Sequence, residues 1–364
     1  MVDLPGLLRT LVEADGSDLH LKVGVPPLIR VDGELRRVEG ERLTPQDTQD
    51  TAWSILPPDR RGNLDTLKEI DFALSMPGMG RFRANVFYQR GSVSIVLRRV
   101  RVGSPTFEEL GLPAVVKDLA ELPRGLILVT GPTGAGKTTT LACMIEHINA
   151  TKPVHILTIE EPIEVVHLDR VATVNQREIG MDTDNYATAM RSAVRQDPDV
   201  ILIGEMRDAE TVSAAVAAGE TGHLVLSTLH TTDAMETVNR IIDFFPPYQQ
   251  HQMRVTLASV LRGVICQRLV PRRNGGRVAA VEVMVNNGRV ADRIVDESRT
   301  PEILDVIAEG GFYGMQTFDQ SLLGLVKAED VSIEDALNSS SNPHDFMLML
   351  EQAGFQPPAR VQAV

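Results

Sequence analysis

Over the first hundred residues apolar and polar positions largely alternate, and beyond Leu126 the apolar residues gather into short unbroken runs. Leu19, Leu21 and Val23 recur every second residue, the period of a strand with one buried face. Leu28-Ile29-Arg30-Val31 and Leu35-Arg36-Arg37-Val38 flank Asp32-Gly33, a strong short-range hairpin signal because the turn needs positive φ. Two more strands are expected over 80–88 and 92–99, separated by Gln89-Arg90-Gly91, and a short helix around Leu7 to Glu13 precedes them. This stretch predicts a small α+β unit built on an antiparallel meander.

The later pattern is different. Leu126-Ile127-Leu128-Val129, Ile156-Leu157-Thr158-Ile159, Val200-Ile201-Leu202-Ile203 and Leu224-Val225-Leu226 read as strands, with helical stretches between them. Such alternation predicts a mostly parallel sheet with helices on its faces. Gly103 to Pro113 has Gly and Pro punctuation without periodicity and reads as a linker. The expected boundaries are therefore 1–102, 103–113 and 114–364, with a helical C-terminal part from about 301 and a frayed tail at Gln356-Pro357-Pro358-Ala359.

Between the run ending at Val129 and a helix-like run from Lys137 to Ile148 lies Gly131-Pro132-Thr133-Gly134-Ala135-Gly136-Lys137-Thr138, followed by Thr139. It fits the phosphate-loop pattern G-x-x-x-x-G-K-[ST] at every fixed position and in the right strand-to-helix context. Backbone N–H groups at a helix N-terminus suit an anionic polyphosphate, and the glycines let the backbone approach it. Lys137 would reach the β and γ phosphates of ATP, and Thr138 would offer its hydroxyl to Mg2+.

Composition narrows the partners. The 364 residues include 36 Lys and Arg against 49 Asp and Glu, a net charge of −13, so attraction to nucleic acid is not expected. Two distant cysteines, Cys143 and Cys266, offer neither a disulfide framework nor a structural zinc site. The first 25 residues lack a basic start followed by a long apolar stretch, and no apolar run approaches the roughly 18 residues of a membrane span, so a cytoplasmic location is expected.

In an open α/β sheet, ligands bind at the carboxyl ends of the strands. Here Ile159 is followed by Glu160-Glu161-Pro162-Ile163-Glu164, Ile203 by Gly204-Glu205-Met206-Arg207-Asp208, and Leu226 by Ser227-Thr228-Leu229-His230. Hydrolysis needs one carboxylate for the attacking water and gains from another near the metal. Gly204 stands where a metal-binding Asp is usual, so Glu205 is expected to act on Mg2+ through water, leaving Glu160 the first choice for base. His230 has the place of a γ-phosphate reporter, and His223, at the other end of the same run, is the weaker candidate. Arg83 and Arg98 sit on adjacent expected strands; they are either a solvated face or a source of positive charge for phosphoryl transfer.

These segments, with Val174-Asn175-Gln176-Arg177-Glu178 and Glu220-Thr221-Gly222-His223 through His230-Thr231-Thr232, resemble the secretion ATPase superfamily, and within it the type IV pilus retraction ATPases. The resemblance implies a homohexamer with a PAS-like N-terminal domain, a RecA-like P-loop ATPase domain and C-terminal helices. It also implies roles for Glu160, Glu161 and Glu164 (the Asp box), Glu205 (Walker B), His223 and His230 (the His box), and Arg83 and Arg98. Partners would be an inner-membrane pilus platform protein and a paralogous ATPase, with the motor peripheral at the inner face of the membrane. The alternatives are an accessory retraction paralogue, a pilus extension or type II secretion ATPase, and, from another class, a nucleic-acid motor. The chain departs from the retraction pattern Ala-Ile-Arg-Asn-Leu-Ile-Arg-Glu at Arg289 to Asp296, where Ala291 and Val295 replace two arginines.

Overall fold

The computed structural model describes residues 2–57 and 60–355, so the expected tail at 356–359 lies outside the described residues. The chain divides into two compact units, Met1–Val102 with Glu164–Val166, and Gly103–Ile163 with His167–Val364.

The first unit begins with α1 (Leu4–Glu13) and the strands β1 (Asp18–Leu21), β2 (Leu28–Val31) and β3 (Glu34–Arg37). Helices α2 (Pro45–Ile55) and α3 (Arg61–Leu67) lead into β4 (Glu69–Met76), β5 (Gly80–Gln89) and β6 (Ser92–Arg99). The six strands pair in the order β3-β2-β1-β6-β5-β4, every neighbour antiparallel. Two three-stranded meanders are thus joined where β1 meets β6, rather than forming one continuous meander, and β4 was not foreseen. Helix α2 starts on a reciprocal cap, Thr44 with Asp47, which satisfies two otherwise orphaned N–H groups. Phe82, Ala84 and Val86 of β5 are buried against Leu8, Leu11, Ile95 and Leu97, while Arg83 between them is exposed. A two-residue strand β7 (Arg101–Val102) pairs in parallel with β10 (Val165–Val166).

The second unit begins inside the stretch expected to be a linker. Thr106 and Glu109 form a capping box for the short helix α4 (Phe107–Leu110), and Phe107 is buried; packing of one aromatic replaces the periodicity that four residues are too few to show. Then come α5 (Ala114–Ala120), β8 (Gly125–Thr130), α6 (Lys137–Thr151), β9 (His155–Glu160), β11 (Thr173–Glu178), α7 (Tyr186–Ala193), β12 (Val200–Ile203), α8 (Ala209–Glu220) and β13 (Leu224–Leu229). Helices α9 (Ala234–Asp243) and α10 (Pro247–Val260), a hairpin of β14 (Leu261–Pro271) and β15 (Arg277–Val285), and the helices α11 (Gly288–Val295), α12 (Ile303–Glu309), α13 (Phe318–Lys327), α14 (Ile333–Ser339) and α15 (Pro343–Gln352) complete it.

Its seven strands lie in the order β11-β9-β12-β13-β8-β14-β15, all parallel except the edge strand β15. Burial on both faces explains the unbroken apolar runs. In β8, Leu126 and Leu128 pack on one face with α8 and α10, and Ile127 and Val129 on the other with α5 and α6. With both faces of β8, β9, β12 and β13 dry, their charged residues lie at the strand ends.

Candidate functional site

At the carboxyl end of β8 the backbone enters conformations that side chains resist. Gly131, Gly134 and Gly136 have φ of 141°, 81° and 92°. A Cβ on Gly131 would lie 2.4 Å from the Gln267 carbonyl oxygen, so strand β14 itself bars any larger residue there. The loop opens α6 on Gly136 without a side-chain cap, whereas Asn185, Asp208 and Asp233 cap α7, α8 and α9. The first N–H groups of α6 are therefore left for a ligand, and the positive end of the helix dipole favours an anion. These features fit a nucleotide's phosphates.

Lys137 Nζ donates to the carbonyls of Gly131 at 2.8 Å and Pro132 at 3.1 Å and lies 3.5 Å from His230 Nδ1. Burial lowers the Lys137 pKa, and the charge of Glu205 opposes that fall. An ammonium only donates, so His230 Nδ1 accepts and the ring proton sits on Nε2. Nε2 lies 3.3 Å from Glu205 Oε1. The other carboxylate oxygen, Oε2, takes the Arg207 guanidinium through Nε and Nη2, both at 2.9 Å. Arg207 Nη1 reaches on to Glu161 Oε2 at 3.0 Å.

This row follows the sheet. Lys137 follows β8, His230 follows β13, Glu205 and Arg207 follow β12, and Glu161 follows β9, four strands that are neighbours in that order. Strands are about 4.8 Å apart, so the end of β12 lies about 10 Å from that of β8 and the end of β9 about 14 Å away.

Glu160 ends β9 and is 8% exposed. Its Oε1 accepts from Thr158 Oγ1 at 2.6 Å and Gln176 Nε2 at 3.0 Å, which ties it to the sheet on the side away from β8. Thr138 and Thr139 occupy the first turn of α6, Thr138 exposed.

His223 lies apart from this row. It precedes β13 at the amino end, about 20 Å of strand from His230. Its Nδ1 lies 3.0 Å from the Ala218 carbonyl at the C-terminal turn of α8, so within its own chain it holds a helix end and does not reach the phosphate loop.

Glu164, Arg83 and Arg98 belong to the first unit. Arg83 and Arg98 face each other directly in the β5–β6 register and share one side of the sheet. Arg98 Nε is paired with buried Asp18 at 2.8 Å. Burial pushes the Asp18 carboxyl up, but the hydrogen bonds of Arg98 and Ser17 outweigh it, and the net pKa is lowered.

Two members of the site were missed. Arg207 sits two residues after Glu205 in a segment already singled out, and that spacing was its signal. Tyr186 had none: its hydroxyl would lie 2.9 Å from a Cβ on Gly204, so the tyrosine fills the space beside the position where an Asp was expected. Burial raises the Tyr186 pKa, with the Glu161 charge adding to it.

The profile of the family described as "Type II/IV secretion system protein" matches residues 41–309. The type IV pilus retraction ATPase PilT of Pseudomonas aeruginosa is 43% identical over 345 residues, 95% of this chain and 100% of that protein. The type IV pilus ATPase PilU of the same organism is 42% identical over 95% of this chain and 90% of its own length. Among solved structures, the pilus retraction motor PilT with bound ADP superposes with a TM-score of 0.85 at 45% identity, covering 95% of this chain and 99% of that one. The ATPase DotB of Legionella pneumophila gives 0.70 at 29% identity over 92% of this chain and 94% of its own.

Proposed function

Because the chain belongs to the type II/IV secretion system protein family, we propose that it is an ATP-hydrolysing motor that powers type IV pilus retraction. The carrying observation is the row from Lys137 through His230 to Glu205, three polar groups at the ends of adjacent strands beside an uncapped helix N-terminus.

ATP lies with its phosphates on Gly131 to Thr139. Water attacks the γ-phosphorus, the bond to the bridging β–γ oxygen breaks, and ADP and phosphate leave. Glu205 orients that water and takes its proton, because its carboxylate stands between His230 and the end of β12 (about 10 Å from the β8 end). Glu160, farther along the sheet and bound to Thr158 and Gln176, fixes the end of β9, which reverses the order in which the two acids were first ranked. Thr138 and, through water, Glu205 would hold Mg2+, which neutralises phosphate charge when bound. Two side chains leave most of its coordination to phosphate and water oxygens, the usual arrangement for this ion. Lys137 supplies fixed positive charge.

The motor assembles as a homohexamer at the inner face of the membrane against a platform protein. Among the described residues no helix is long and apolar enough to cross a membrane. An accessory motor of the PilU kind is the second reading. It is supported by Ala291 and Val295 of α11, which pack against the apolar core where the retraction pattern has arginines.

Phosphate release from ATP by Glu205→Gln and Glu160→Gln variants tests the chemistry. The first is expected to lose about 100-fold in kcat and the second less than tenfold; the reverse order would return the base to Glu160. Deletion of the chain in its host tests the output: long, nonretracting pili support retraction, and loss of pili points to extension.

A further inference from the structure

The polar row does not stop at the groups that hydrolysis needs. Arg207 turns two of its nitrogens, Nε and Nη2, onto the same oxygen of Glu205, Oε2. That oxygen is saturated by a charge-assisted fork. Oε1, the oxygen on the side of His230 and Lys137, carries among the described residues the longer 3.3 Å contact. The fork therefore decides which oxygen of Glu205 is held and which faces the phosphate loop. Arg207 is itself held: Nη1 binds Glu161 at 3.0 Å, an acid that follows a different strand. Among the described residues, the side-chain partner of Glu161 is Arg207.

We propose that Arg207 is a positioning residue that locks Glu205 with Oε1 toward the attacking water, and that Glu161 acts as its brace. The inference rests on the assignment of Glu205 to the water. A carboxylate free to rotate about its last torsion would spend much of its time presenting no oxygen along the line of attack, and small misplacements of a catalytic group are costly in rate. Because Arg207 acts on the transition-state geometry rather than on bound nucleotide, its removal lowers kcat and leaves the ATP KM in place.

The test is steady-state ATP hydrolysis by the full chain with Arg207→Gln, Arg207→Lys, Glu161→Gln and the double variant Arg207→Gln/Glu161→Gln. Melting temperature and the affinity for a fluorescent ADP are measured alongside. Arg207→Gln is expected to lower kcat about tenfold or more with KM within about twofold, and Arg207→Lys, which keeps the charge but not the fork, to recover part of the loss. Glu161→Gln is expected to give a smaller loss of about threefold, and the double variant to match Arg207→Gln alone, as two members of one chain should. A raised KM with unchanged kcat would make Arg207 a nucleotide contact and overturn the inference. Losses that multiply in the double variant would overturn the brace. If Arg207→Gln does not fold, Arg207→Lys and Glu161→Gln carry the same kcat-against-KM test. Failure of the reading it rests on is distinguishable: a Glu205→Gln chain that keeps its kcat while Glu160→Gln loses it would remove Glu205 from the water whatever Arg207 does.

Discussion

The two sheets of this molecule solve the placement of charge in opposite ways. In the antiparallel sheet of the first unit, side chains alternate between a packed face and a polar one, so Arg83 and Arg98 lie in mid-strand, directly across from each other. In the parallel sheet of the second unit both faces are covered, and every residue of β8, β9, β12 and β13 except His155 is buried. Charge there is expelled to the strand ends, where parallel alignment places all the ends on one edge. A parallel sheet thus concentrates groups from distant parts of the sequence into a row, and an antiparallel one spreads them over a face.

The comparison breaks most visibly at Lys137. Lys137→Ala should reduce phosphate release by about 100-fold or more without lowering the melting temperature, since among the described residues the ammonium contacts loop carbonyls and His230. A large fall in melting temperature would mean that the row holds the sheet together rather than serving a ligand.

Glu282 departs from the rule of dry strands, a carboxyl in the middle of β15 that is 2% exposed and accepts the Ala234 N–H at 2.9 Å. Burial, with Asp233 adding to it, pushes its pKa up to about 7 from 4.5. Both folded and unfolded forms are protonated below about pH 4.5, so no penalty exists there. As pH rises the unfolded chain ionises first, stability falls, and the loss is complete above about pH 7. Glu282→Gln should therefore stabilise the protein at pH 8 by up to roughly 3 kcal/mol, with no gain at pH 4, as chemical denaturation at the two pH values would show.

A finer contrast lies between the two ends of β13. His230→Ala is expected to lower kcat about tenfold and His223→Ala less than twofold, a split that equal effects would erase. The smallest effects belong to the first sheet. Arg98→Ala removes one partner of buried Asp18, leaving Ser17 and Arg30, and Arg98 is itself largely solvated, so it should cost about 1 kcal/mol; Arg83→Ala should stay within about 0.5 kcal/mol in melting experiments. If Arg83→Ala nonetheless abolishes hydrolysis, the exposed face of the first sheet takes part in catalysis.

Much of this was legible in the residues because its causes are local. The phosphate loop announces itself through glycines that the backbone requires at Gly131, Gly134 and Gly136, and the hairpin through Asp32-Gly33. The runs at Leu126, Ile156, Val200 and Leu224 are strands because nothing else of that length buries two apolar faces. Helix α4 and strand β4 escaped notice, the first for being four residues long and the second because buried Ala73 breaks the alternation that Glu69-Ile70-Asp71-Phe72 begins. That His223 and His230 flank one apolar run was legible too, and the drawn strand turns that into about 20 Å of separation.

The sequence by itself determined the chemistry on offer: a polyphosphate loop, acids after two buried strands, a histidine after a third. Only the tertiary structure decided which of those groups meet. Strand order depends on pairings between residues far apart in the chain, which no local propensity encodes, and it is the order β8-β13-β12-β9 that sets Lys137, His230, Glu205, Arg207 and Glu161 in one line and leaves Glu160 bound to β11.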